Sequence, residues 1–307
     1  MKKVLVIMGT YNGERYVSEQ LQSILNQEGV LSYVLVRDDA SKDRTPSILK
    51  EFKEKYPDRI QLFLGDKNLN SYYEIVKMGN IEGFDYYAFS DHDDVWFGDK
   101  LIVAIEKLKE LDENKPCLYY SNLAVTDENL NFKFNVYGKN KIAATPESCF
   151  VDIAASGNTF VFNRKALDVF VFGPTKKEFY WDVWFELVIF FVGCVVYDDI
   201  PHIWFRRTGS NVSGPRERGF KLWYSRAKKV LKEKKNGGNH MHSSMAQLLI
   251  QAYSSQMDYS KIEILKEIAN YQNSFKDKIV LLFDRRIRSL SFSRNITFLG
   301  RAVLNLL

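Results

Sequence analysis

Apolar runs and helically spaced segments alternate along the first two-thirds of the chain. Lys3–Met8 is an apolar run that predicts a strand, and it breaks at Gly9–Gly13, a turn-rich loop. In Tyr16–Gln27, Val17, Leu21, Ile24 and Leu25 recur at helical spacing, which predicts an amphipathic helix with those four inward. Val34–Val36 predicts a second strand, closed by Arg37-Asp38-Asp39-Ala40-Ser41. Thr45-Pro46 predicts a helix start, with Thr45 as N-cap and Pro46 at the first helical position, running to about Tyr56. Ile60–Leu64, Tyr86–Ser90 and Cys117–Ser121 predict strands; Ser71–Gly79 and Asp99–Leu111 predict helices. After Asn122 the pattern is irregular, with a short strand at Thr159–Phe162, a helix at Trp181–Phe191 and a strand at Val195–Asp198. From about Gly214 the chain is basic and helical in spacing, broken at Asn236-Gly237-Gly238-Asn239.

Strand and helix in alternation specify an α/β fold, a mostly parallel sheet flanked by helices. In such a sheet the loops after successive strands meet at one edge, where ligands bind. Here those loops are Thr10–Asn12, Asp38-Asp39 and Asp91–Asp93. No G-x-G-x-x-G or Walker A sequence follows the first strand, which disfavours a dinucleotide or P-loop site.

The third loop carries the most pointed chemistry. The run Tyr86–Phe89 ends in Ser90-Asp91-His92-Asp93-Asp94-Val95-Trp96. In extended backbone Asp91 and Asp93 point one way and His92 the other. Adjacent carboxylates repel unless a cation lies between them, and oxygen-only donors favour Mg²⁺ or Mn²⁺. Taken alone, the loop reads first as a solvated acidic turn. Likewise Asp38-Asp39 alone reads as a turn and helix-cap pair, Tyr11 as a surface aromatic, and Asp182 as a helix-start carboxylate favoured by the helix dipole.

Composition adds limits. A chain of 307 residues, 46% apolar and 26% charged, fits one large globular domain or one domain plus an extension. Cys117, Cys149 and Cys194 form no C-x-x-C pair, so they read as buried thiols in a reducing compartment. The N-terminal apolar run is too short for a signal peptide, and Val183–Tyr197 contains Glu186 and is too short to span a bilayer. A cytoplasmic chain, peripheral at the inner face of the cell membrane, is expected. The net charge of +5 is uneven: nine Lys and Arg lie in Arg216–Lys235, opposed by Glu217 and Glu233, and Lys276–Arg301 is basic again. That asymmetry suggests an anionic surface as partner.

Six motifs stand in a recognisable order. They are Thr10-Tyr11-Asn12-Gly13-Glu14-Arg15-Tyr16, Asp38-Asp39-Ala40-Ser41-Lys42-Asp43, the Ser90–Trp96 run, Ser156-Gly157-Asn158, Trp181-Asp182-Val183-Trp184, and Arg206 through Gly214. Over residues 3–214 the chain resembles family 2 glycosyltransferases of the GT-A fold, and is most similar to bacterial rhamnosyltransferases of surface polysaccharide synthesis. The resemblance implies a Rossmann-like catalytic domain over residues 1–214 and a basic, mainly helical region over 215–307. It implies inverting, metal-dependent transfer of a sugar, rhamnose among the candidates, from a dTDP- or UDP-sugar to a hydroxyl of a lipid-linked or growing polysaccharide.

Residue by residue, the resemblance places Thr10, Tyr11, Asn12 and Glu14, with Asp38 and Asp39, at the nucleotide. Tyr11 would lie beside the base, and Asp38 or Asp39 would accept from the imide N–H of uracil or thymine. Asp91 and Asp93 would hold Mg²⁺ or Mn²⁺, Asp93 more directly and Asp91 through water or the ribose hydroxyls. His92 would be a bystander, Asp94 would cap the next segment, and Trp96 would pack beneath the loop. Gly157 and Asn158 would border donor sugar and acceptor, Arg206 and Arg207 the diphosphate, and Asp182 would be the catalytic base. The chain departs from its relatives at Thr208 and Trp181, where they often carry His, and at Asn70, where they carry Gly. The carboxylates would then hold the metal largely with donor phosphates and water.

Two other readings stay open: a nucleotidyltransferase with a similar sheet and carboxylates, and an inactive membrane-docking scaffold on a degenerate transferase fold. In the tail, Phe220, Leu222, Trp223, Ala227, Val230 and Leu231 interleave with cations, and Ile296–Leu307 is amphipathic. Both suit an anionic membrane surface, or else a helical subdomain packing on the catalytic domain or on a second subunit as a homo-oligomer. No nucleic-acid-binding module accompanies the charge.

Overall fold

The computed structural model describes residues 1–69, 72–137, 144–151, 156–208, 240–289 and 291–307, with Tyr224, Lys228, Val230, Lys232, Lys234 and Lys235 besides. They belong to two compact units that follow no single cut in the chain. One takes Met1–Ala143, Ala155–Gly173 and Gly193–Ser210; the other takes Ala144–Ala154, Pro174–Val192 and Asn211–Leu307.

The first unit runs β1 (Lys2–Thr10), α1 (Val17–Leu25), β2 (Val30–Asp38), α2 (Thr45–Lys55), β3 (Ile60–Leu64), α3 (Tyr72–Met78), β4 (Tyr86–Ser90), β5 (Val95–Trp96) and α4 (Lys100–Lys109). It continues with β6 (Cys117–Ser121), β7 (Ala124–Thr126), β8 (Phe132–Asn135), β9 (Val161–Asn163), α5 (Arg164–Phe172), β10 (Cys194–Asp198) and β11 (Ile203–Arg206). Seven strands form a sheet in the order β10-β6-β9-β4-β1-β2-β3. All pairs are parallel except those of β9, which runs antiparallel between β4 and β6. This is the mixed, mostly parallel sheet that the GT-A expectation called for.

The apolar runs of β1 reflect burial on both faces. Val4, Val6 and Met8 meet Val17, Leu21 and Ile24 of α1, Leu49 of α2, and Leu101, Ala104 and Ile105 of α4 in one core. Leu5 and Ile7 are buried on the opposite face, where the Gly79 backbone lies against Ile7. There Tyr73 of α3 stacks on Phe170 of α5, ring centroids 5.3 Å apart. Register positions the candidate site: Thr10 pairs with Asp38, and Met8 with Ser90, so the ends of β1, β2 and β4 share one sheet edge.

A second sheet, β5-β11-β7-β8, is not legible in the sequence. Its strands are two to four residues long, too short to show alternation. The start of α2 also differs from expectation. Thr45 lies inside the helix, and Asp43 accepts from its N–H at 2.9 Å and its hydroxyl at 2.6 Å.

The second unit contains α6 (Trp181–Val192), α7 (Met241–Tyr253), α8 (Tyr259–Asn270), α9 (Phe275–Phe283) and α10 (Phe292–Val303). Val183 through Val192 are all buried, Glu186 the one charged residue among them, the mark of a helix that forms the centre of a core. Lys261 Nζ donates to the Phe190 and Phe191 carbonyls at 3.2 and 2.9 Å, satisfying acceptors that the end of α6 leaves open. The chain end is tied in: the Leu307 N–H donates to the Tyr271 hydroxyl at 2.9 Å, and the Ser243 hydroxyl to the Leu307 carbonyl at 2.7 Å. Most of the basic run 216–235, the break at 236–239 and Asn70 lie outside the described residues. Among the described residues, no helix is long and apolar enough to cross a membrane.

Candidate active site

Two loops at the sheet edge are interlocked by hydrogen bonds. The Asn12 N–H donates to Ser41 Oγ at 2.8 Å, and Asn12 Oδ1 accepts from the Lys42 N–H at 2.9 Å. The Gly13 N–H donates to Thr45 Oγ1 at 2.8 Å, the Glu14 N–H to Asp43 at 3.1 Å, and Glu14 Oε2 accepts from the Arg44 N–H at 2.8 Å. Asn12 and Glu14 thus build the loop pair. Asn12 adopts φ 49°, a left-handed conformation that Asn tolerates better than most residues.

Asp38 is buried, and its carboxylate accepts from Thr10 Oγ1 at 3.0 Å and from the Ser41 N–H and hydroxyl at 2.9 and 2.5 Å. Asp39 is buried in an ion pair with Arg37 and also accepts from the Leu69 N–H at 3.2 Å. Tyr11 stands exposed beside them.

The acidic loop follows β4. Asp91, Asp93 and Asp94 each offer a carboxylate oxygen, and these atoms lie within 4.8 Å of one another. Asp91 is exposed and Asp93 half-buried. Asp94 is fully buried and does not cap the next segment; it accepts from Asn158 Nδ2 and from the Arg206 N–H. Burial, then repulsion from Asp91 and Asp93, push its carboxyl well above the usual carboxylate range. A trio of hard oxygen donors that repel one another fits a divalent cation of the Mg²⁺ or Mn²⁺ type.

Beneath the loop lies buried Gln20. In the orientation that satisfies both amide atoms, it accepts from Trp96 Nε1 at 3.1 Å and donates to the Asp94 carbonyl at 2.8 Å. Trp96 therefore packs under the loop, as expected. Lys100 is also buried, its Nζ 3.6 Å above the Trp96 ring and without a hydrogen-bond partner among the described residues. Burial pulls its pKa down to about 7, opposed by the charge of Asp94. A lysine in the first turn of α4, against the helix dipole, was the signal that could have marked it.

His92 is not part of the carboxylate group. It lies so close to the Gly13 backbone that a side chain at Gly13 would run into it, which links the acidic loop to the first loop. Arg206 is buried at the end of β11. It donates through Nε to the Asp93 carbonyl at 3.0 Å, through one terminal nitrogen to the Glu128 carbonyl at 2.6 Å, and through the other to Glu19. Its guanidinium also lies 4.5 Å over the Tyr16 ring. Arg207 rests over the Phe205 ring at 5.3 Å, and Thr208 is buried. Gly157 and Asn158 are buried in a short 3₁₀ turn ahead of β9. Asp182 and Trp181 belong to the second unit, in the first turn of α6, where Asp182 Oδ1 accepts from the Val183 N–H at 2.9 Å.

The sequence profile of Glycosyl transferase family 2 matches residues 5–170. The chain is similar to the dTDP-rhamnosyl transferase RfbG of Shigella flexneri, 32% identical over 169 residues that make up 52% of this chain and 55% of that protein. It is similar also to WfgD of Escherichia coli, a UDP-Glc:alpha-D-GlcNAc-diphosphoundecaprenol beta-1,3-glucosyltransferase, 26% identical over 60% of this chain and 69% of that one. The chain spans about half the length of the first curated relatives it matches. Among solved structures, S. aureus TarS 1-349 in complex with UDP aligns with a TM-score of 0.55 at 16% identity, covering 92% of this chain and 75% of that one, a likeness of GT-A fold. The family match takes in more than half of the chain and includes both interlocked loops and the acidic loop, so the chain belongs to glycosyl transferase family 2.

Proposed function

We propose that this chain is an inverting, metal-dependent glycosyltransferase. It moves a sugar, rhamnose the first candidate, from a dTDP- or UDP-sugar to a hydroxyl of a lipid-linked or growing surface polysaccharide. The observation that carries the reading is the carboxylate group of Asp91, Asp93 and Asp94 beside two interlocked loops at one sheet edge of a family 2 chain. The names of the relatives support its finer terms: RfbG is a dTDP-rhamnosyl transferase, and WfgD takes UDP-Glc and a diphosphoundecaprenol-linked acceptor.

In this reading Tyr11 packs beside the base, and Asp38 or Asp39 receives its imide N–H. Thr10, Asn12 and Glu14 keep those loops in shape. Asp91 and Asp93 hold Mg²⁺ or Mn²⁺, which when bound offsets charge on the departing nucleoside diphosphate. Gly157 and Asn158 border the sugar, while Arg207 serves the diphosphate side and Arg206 serves it indirectly, by fixing the Asp93 carbonyl of the acidic loop. Asp182 removes the proton of the acceptor hydroxyl as its oxygen attacks the anomeric carbon. Positive charge then builds on the sugar ring as in glycoside hydrolysis. Residues 1–214 are the catalytic domain, and 215–307 serve membrane association or oligomerisation at the inner face of the membrane.

The test is product release from dTDP-rhamnose and UDP-sugars with a lipid-linked acceptor and Mn²⁺. Nucleoside diphosphate is the expected product. Asp93→Asn and Asp182→Asn should each lower the rate roughly a hundredfold or more, while Asp182→Asn keeps the donor-induced rise in melting temperature. Release of pyrophosphate, or full turnover by metal-free Asp93→Asn, overturns the proposal.

A further inference from the structure

Helix α9 carries an apolar face that nothing in the described molecule covers. Phe275 is 80% exposed, Phe283 77%, Val280 43% and Ile279 36%, while Leu281 on the opposite side is buried. At 100° per residue, Phe275, Ile279 and Phe283 fall in one arc with Val280 at its border, and Lys276 projects from the same arc. The helix is therefore anchored by one side and presents the other as an aromatic ridge with a cation in it.

The charges around the ridge are sorted by sign. Lys276 and Arg285 are exposed, with no acidic partner among the described residues. The neighbouring acids are engaged elsewhere: Asp277 accepts from the Ser274 hydroxyl at 2.8 Å, and Asp284 pairs with Arg286 at 2.7 Å. The same holds over the longer sequence, since residues 211–307 contain 18 Lys and Arg against seven Asp and Glu. Exposed aromatic and aliphatic side chains flanked by two cations without acidic partners match a surface that is apolar at a shallow depth and anionic at its face. A second copy of this chain matches less well. In a two-fold contact the ridge would meet itself, bringing the Lys276 and Arg285 cations of one copy toward those of the other with no acid between them.

We propose that α9 is a docking element for anionic lipid bilayers, with Phe275, Ile279 and Phe283 entering the headgroup region and Lys276 and Arg285 meeting lipid phosphates. The inference deepens the membrane association proposed above for residues 215–307 and rests on that part of the reading; it does not need sugar transfer, because lipid binding and turnover are measured separately.

The experiment is co-sedimentation of the full chain with vesicles of phosphatidylcholine alone and of phosphatidylcholine with phosphatidylglycerol. Binding is expected only with phosphatidylglycerol, and should weaken as salt rises. Phe275→Ser/Phe283→Ser and Lys276→Glu/Arg285→Glu should each lower partitioning roughly tenfold or more. These side chains are exposed, so the melting temperature should not move, and that measurement separates lost docking from lost folding. Equal binding to neutral vesicles, or variants that bind as the parent does, overturns the proposal. So does a parent dimer, seen by sedimentation without lipid, that Phe275→Ser/Phe283→Ser dissociates.

Discussion

Arg206 sits where a phosphate-binding arginine is expected, yet its three guanidinium nitrogens all reach protein oxygens at Asp93, Glu128 and Glu19. A fork that joins three separate segments is a clamp on the acidic loop, and a lysine keeps the charge without the fork. Arg206→Lys should therefore lower unfolding free energy by on the order of 2 kcal/mol, read as an earlier midpoint in urea. Unchanged stability with weaker donor binding would instead put the guanidinium on the diphosphate. The contrast shows what a sequence reveals at this scale. Asp91 and Asp93 were legible because their chemistry is contiguous and directly follows an apolar run; alternation was not what joined them, since β4 ends at Ser90 and the loop brings Asp94 to the same group. The roles of Asp94 and Lys100 were not, because burial decides them, and their partners Asn158, Arg206 and Trp96 come from other elements.

The loops after β1, β2 and β4 form one construction. Five hydrogen bonds join 12–14 to 41–45, and His92 rests on Gly13. Gly13→Ala should push on His92 and cost about 1–2 kcal/mol. In a His92→Ala background most of that cost should disappear, a coupling of about 1 kcal/mol in a double-mutant cycle of unfolding free energies. Equal costs in both backgrounds would mean that the two loops do not lean on each other. Strands β1, β2, β4 and β6 were readable because sheets covered on both faces leave long apolar runs. The small sheet of β5, β7, β8 and β11 was not, since strands this short carry no period, yet it is what delivers Arg206 to the acidic loop.

Across the whole molecule, the core of the second unit resists the charge of His242, as burial also holds Cys149 and Glu267 toward their neutral forms. His242 packs between the rings of Phe150 and Phe298, and burial, with help from the Arg301 charge, lowers its pKa to about 4. The unfolded chain binds this proton near pH 6.5, whereas the folded chain refuses it until about pH 4. The contribution is thus complete above pH 6.5 and is lost as pH falls through that window, on the order of 3 kcal/mol in all. His242→Phe should remove this slope from unfolding free energies measured between pH 7 and 4; a slope that persists assigns it to other groups. The division of the chain into units was not readable from sequence, because Ala144–Ala154 and Pro174–Val192 join residues far beyond them in the chain. The antiparallel strand β9 has a consequence in time. The neighbours of β6 in the sheet are β9 and β10, and β9 leaves the ribosome about 40 residues later, roughly 2–8 s at usual rates of synthesis. For that interval Cys117-Leu118-Tyr119-Tyr120, fully buried in the finished sheet, has neither edge occupied, so the nascent chain passes through a stage in which its safety depends on how fast translation proceeds and on what shields it meanwhile.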